Sequence, residues 1–74
     1  MKYKIKLTLN YPDRQEIKYT APTPLDPGET FQDVQEEINK LLAEGDDFNI
    51  HTTEGTICLN RTRNNFFLTL QEVI

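Results

Sequence analysis

Seventy-four residues, 36% apolar and 27% charged with a formal net charge of −4, allow one small domain. A chain this short buries only about 60% of the surface its unfolded form exposes, and with Cys58 as the only cysteine no disulfide can supplement that core. No apolar run exceeds three residues, as in Phe66-Phe67-Leu68, far below the ~20 residues that span a bilayer, and the Lys-alternating N-terminus does not read as a signal peptide, so a cytoplasmic protein without membrane contact is expected.

The opening residues Lys2 to Tyr11 alternate polar and apolar without a fault, which predicts a strand with Tyr3, Ile5, Leu7, Leu9 and Tyr11 on one side. Pro12 and Asp13 supply turn chemistry. Glu16 to Ala21 resumes the alternation with Ile17, Tyr19 and Ala21 together, so the two segments read as a hairpin. Three prolines and a glycine between Pro22 and Gly28 then interrupt regular structure.

Two signals mark a helix start. One is Asp26-Pro27-Gly28-Glu29, with a cap, a proline and an acid in order; the other is the Thr30 to Asp33 pair. Phe31, Val34, Ile38, Leu41 and Leu42 fall on one helical stripe, and Gly45 is placed to end the helix in a left-handed conformation. Beyond it, Phe48 to Thr53 and Thr56 to Asn60 read as strands around a turn at Glu54-Gly55. Arg61 to Asn65 is turn-like, and Phe66 to Val73 forms a last strand.

The order ββαβββ predicts an α+β domain, 1–74, with a mostly antiparallel sheet and one helix packed on one face. Its expected core is Ile5, Leu7, Leu9, Ile17, Tyr19, Phe31, Val34, Ile38, Leu41, Leu42, Phe48, Ile50, Ile57, Leu59, Phe66, Leu68 and Leu70. The hairpin followed by Pro27-Gly28-Glu29-Thr30-Phe31, Val34 and Ile38 resembles the first half of ubiquitin-like β-grasp domains over about forty-five residues. That resemblance implies a last strand beside the first; a helix-capped C-terminal meander is the alternative. The chain ends Glu72-Val73-Ile74 without a glycine tail, so a conjugated modifier is not expected.

No catalytic, cofactor or metal signature stands out. His51 and Cys58 fall on the same outer face of the second hairpin, and a Cys/His pair can activate a thiolate, but a nucleophilic site also needs an oxyanion donor, an orienting group and a pocket, for which a chain this short has little room. Asp46, Asp47, Glu54 and His51 match neither zinc spacing nor a calcium loop. The three glycines are far apart, so there is no phosphate-binding loop.

Charge, by contrast, is polarised along the chain: +3 over residues 1–20, −8 over 21–54 and +1 over 55–74. Glu29, Asp33, Glu36, Glu37, Glu44, Asp46 and Asp47 would present a negative strip able to fill a basic groove; the plain alternative is a solvated helix face whose first acids suit the dipole. Lys2, Lys4 and Lys6 share the outer face of the first strand, with Thr8, Lys18 and Phe67 as further members of that surface. A basic sheet face with an aromatic is the rudiment of a single-strand nucleic-acid platform, to which Arg61 and Arg63 would add charge. Against it stand the single aromatic, Glu16 among the lysines, the net negative charge, and the simple role of lysines on an exposed strand in discouraging edge-to-edge aggregation.

The leading expectation is a non-enzymatic interaction protein that docks another protein or a second copy. In its sharper form it is a phage or mobile-element inhibitor of a host enzyme acting through the acidic helix. The alternatives are a nucleic-acid module using Lys2, Lys4, Lys6, Lys18, Arg61 and Arg63, and an oligomer that binds a small ligand in an intersubunit pocket.

Overall fold

A computed structural model describes residues 1–74, and it is α+β with antiparallel sheets and one helix. The elements are β1 (Lys2–Asn10), β2 (Gln15–Tyr19), β3 (Thr23–Pro24), α1 (Phe31–Glu44), β4 (Phe48–Thr52), β5 (Gly55–Leu59) and β6 (Phe66–Val73). β1 is the central strand of the larger sheet. It pairs with β2 and β3 along one edge and with β6 along the other, all antiparallel. β4 and β5 form a separate hairpin.

The first turn decides which face β2 presents. Tyr11 N–H donates to the Arg14 carbonyl at 2.9 Å, closing a four-residue loop between the paired Asn10 and Gln15. An even loop sets odd residues of β1 opposite even residues of β2: Leu7 faces Lys18, Leu9 faces Glu16 and Thr8 faces Ile17. Directly opposed residues share a face, so a one-residue difference in register moves every side chain of a strand to the other side. The alternation in β2 is present as read, but Ile17 and Tyr19 lie on the outer face and not in the core, and Ile17 is 46% exposed.

One extra residue on the β2–β3 side follows at Thr20 to Pro22, since Tyr19 pairs with Lys6 and Thr23 with Tyr3. This is a bulge, and it takes in Pro22, which has no N–H to give the ladder. Ile5 N–H is satisfied there by Thr20 Oγ1 at 2.9 Å, while Thr20 N–H donates to the Ile5 carbonyl.

Of the two helix starts, Thr30 is the cap. Its hydroxyl accepts from Asp33 N–H at 3.2 Å, and the Asp33 carboxylate accepts from Thr30 N–H at 2.9 Å, a reciprocal capping box. Gly45 ends the helix at φ 73°. Val34 and Ile38 are buried, whereas Leu41, placed in the expected core, is 39% exposed. A residue one position from Leu42 lies about 100° further round the helix and turns away from the sheet.

The second turn is centred on Thr53-Glu54, one residue earlier than expected, with Thr52 paired to Gly55. Gly55 takes the positive φ of 127°, and Thr52 Oγ1 both accepts from Glu54 N–H and donates to the Gly55 carbonyl. The inner faces then meet: Leu7, Leu9, Phe48, Ile50 and Leu59 form one buried cluster, with Leu42, Ile57, Phe66 and Leu68 packed against it. Phe48 and Phe66 stack edge to face at 5.8 Å. Burying aromatic and aliphatic groups this way is the main favourable term for so small a chain.

Asn60 to Asn65 carries the chain out of this hairpin to the far edge of the larger sheet. The last strand runs beside the first, in antiparallel sense, and does not pair with β5, so the C-terminal strands are no meander. No helix is long and apolar enough to cross a membrane.

Candidate functional site

The outer face of the larger sheet collects residues that the sequence distributes over three strands. β1 contributes Lys2, Lys4, Lys6 and Thr8; β2 contributes Ile17 and Tyr19; β6 contributes Phe67, Thr69, Gln71 and Val73. Thr8 lies between Ile17 and Phe67, so with strands about 4.8 Å apart the two apolar side chains stand about 10 Å from each other. Phe67 is 62% exposed. Lys4 Nζ lies 4.5 Å from the centre of the Tyr19 ring, a cation–π contact that holds the ammonium on the same surface.

No carboxylate shares this face. Glu16 pairs with Leu9 and Glu72 with Tyr3, which places both on the inner side. Lys18 also leaves the basic surface: opposite Leu7, it points to the inner side and its Nζ donates to Glu54 Oε2 at 2.8 Å. That hydrogen bond holds the Lys18 ammonium above its ordinary pKa, against an opposing desolvation effect. Arg63 is likewise engaged, donating to Asp47 at 2.7 Å, and Arg61 is exposed on the Asn60–Asn65 loop. Of the six basic residues expected to act together, the structure brings together Lys2, Lys4 and Lys6.

The acidic strip divides by role. Asp33 belongs to the capping box and Glu29 accepts from Asp26 N–H at 3.3 Å. Asp47 accepts from the Asn60 amide and from Arg63, and these two bonds, Asn60 first, lower its pKa. Glu36 accepts from Gln32 one turn earlier. Glu37, Glu44 and Asp46 are exposed. Near the start of the helix, burial raises the pKa of Tyr3, and the fields of Glu29, Glu37 and Asp26 add to it. A shallow depression beside this turn, about 550 Å³, has no apolar wall.

On the second hairpin, His51 and Cys58 do share the exposed face. His51 Nδ1, however, lies 2.9 Å from Thr56 Oγ1, its cross-strand neighbour, and Cys58 is opposite Asn49. No group of three or more His, Cys, Asp or Glu side chains is placed to hold a metal ion.

Comparisons with protein families, curated proteins and solved structures find no match.

Sequence reasoning missed Ile17 and Tyr19 as members of the outer face. The signal that finds them is the number of residues in the first turn. An unbroken alternation says which side chains travel together, and loop length says where they go.

Proposed function

We propose that the chain is a non-enzymatic interaction protein that docks a larger, negatively charged partner protein on the outer face of its β2–β1–β6 sheet. The observation that carries this reading is the composition of that face: Ile17, Tyr19 and Phe67 set among Lys2, Lys4 and Lys6, with no carboxylate. Exposed aromatic and aliphatic side chains provide the area that desolvation can use, and a rim of one charge provides orientation and on-rate. The net charge of −4 does not oppose it strongly. The acidic helix occupies the other side of the sheet, about 10 Å away, which is about one Debye length in physiological salt.

The acidic helix is the less favoured surface, because Asp33, Glu29 and Asp47 are occupied with local bonds. Capture from the native host separates the two. A Phe67→Asp, Ile17→Asp variant is expected to lose the partners held by the unaltered chain by at least about tenfold. A Glu36→Lys, Glu37→Lys variant is expected to keep them. The reverse pattern would transfer the function to the helix.

One observation favours a second reading, a single-strand nucleic-acid module. The register supplies a second aromatic, Tyr19, and removes Glu16 from among the lysines. Under this reading a single-stranded oligonucleotide binds in low salt, weakens as salt rises, and weakens further in a Lys4→Glu variant. Absence of binding at low salt would eliminate it.

A further inference from the structure

We propose that β6 is a self-pairing edge, along which two copies of the chain join antiparallel to make one continuous sheet. The inference rests on the unpaired backbone of β6 and is independent of what the outer face binds.

The hydrogen-bond pattern identifies the groups concerned. Asn10 N–H donates to the Asn65 carbonyl, and Thr20 N–H donates to the Ile5 carbonyl. Even residues of β1 therefore bond to odd residues of β6, while odd residues of β1 bond toward β2 and β3. Alternation leaves the N–H and C=O groups of Phe66, Leu68, Leu70 and Glu72 directed away from the sheet, and β6 pairs with no other strand. A row of backbone donors and acceptors at strand spacing is matched by another strand.

The two edges of the sheet are built differently. β2 is five residues long, and Glu16 and Lys18 lie within it. Its Tyr19 carbonyl is taken by Thr53 N–H, and Thr20 bridges to Thr52, so the tip of the β4–β5 hairpin closes one end of that edge. β6 is eight residues long and carries one charge, Glu72, with no lysine, proline or bulge. Soluble proteins blunt their edges with such devices, and here only one edge has them. One open edge and one blunted edge give a closed pair of chains rather than a fibre.

The register of a second copy on the open edge brings no like charges together. Because only Phe66, Leu68, Leu70 and Glu72 bond outward, antiparallel pairing about a twofold axis must set even residues against even ones. Centred on Thr69, it sets Leu68 against the partner's Leu70, and Thr69 against the partner's Thr69. Glu72 then faces the partner's Phe66, so no like charges meet. Beside this edge an open groove of about 410 Å³ lies between α1 and β6, lined by Phe31, Gln32, Gln35, Leu70 and Glu72. The single chain also has reason to gain from a partner. It buries 7 of its 74 residues, and its radius of gyration is 12.7 Å where about 11 Å is usual for this length.

The test reads mass in solution together with amide exchange on the full chain. The chain is expected at twice its 8.6 kDa, with the Leu68 and Leu70 amides protected from exchange in a concentration-dependent way. Thr69→Lys places two ammonium groups at the centre of the interface and is expected to give a folded monomer whose Leu68 and Leu70 amides exchange fast. Mixing it with Thr69→Glu is expected to restore a heterodimer. A strict monomer at millimolar concentration would overturn the proposal, as would a dimer whose Leu68 and Leu70 amides remain unprotected. Either result leaves the outer-face reading standing, and the amide readout holds even if the Lys variant proves unstable.

Discussion

Leu7 and Thr8 are neighbours on β1, yet they belong to two different molecules in physical terms. Leu7 is fully buried against the β4–β5 hairpin; Thr8 lies between exposed Ile17 and Phe67. The inner face is closed by a helix, a hairpin and one ion pair, Lys18 with Glu54. The outer face has apolar side chains and lysines with no element over them. One face spends its apolar residues on folding, and the other retains them at the surface, where they add little to stability and remain free to bind.

The inner face is most sensitive at Leu7. Leu7→Ala removes a fully buried side chain and is expected to cost about 2 to 5 kcal/mol in urea unfolding, a large part of the stability of a domain this size. Ile17→Lys should change stability by no more than about 0.5 kcal/mol, because Ile17 is on the outer face. A loss of several kcal/mol in that variant would mean that the hairpin register is wrong. Between these, Thr30→Ala removes the capping hydroxyl and is expected to cost about 1 kcal/mol, read as a lower melting temperature.

The smallest effects come from pH. The depressed pKa of Asp47 means that its bonds to Asn60 and Arg63 stabilise the fold above the ordinary carboxylate pKa and are lost as pH falls through the depressed value. Asp47→Asn should flatten that part of the acid unfolding curve. Lys18 has the opposite sign: its raised pKa stabilises the fold below the ordinary lysine value and is lost as pH rises through the raised one. Glu54→Gln should remove this alkaline component.

Much of the fold was legible in the sequence because each element carries its own period. The alternation of Lys2 to Asn10, the stripe from Phe31 to Leu42 and the left-handed Gly45 all correspond to observed structure. What was not legible depends on counting across gaps. Which face Ile17 and Tyr19 occupy follows from the four residues of the first turn, and the final position of Phe66 to Val73 follows from where the Asn60–Asn65 loop leads. The candidate site was half legible for the same reason. Lys2, Lys4 and Lys6 could be placed on one face from β1 alone, whereas removing Lys18 and Glu16 and adding Tyr19 required the pairing.

The proposal places the partner on the outer face and not on the acidic helix. A photoreactive benzoylphenylalanine placed at position 67, and separately at position 36, tests this in the native host. A covalent adduct with a partner protein is expected from position 67 and none from position 36. An adduct from position 36 with none from position 67 would contradict it.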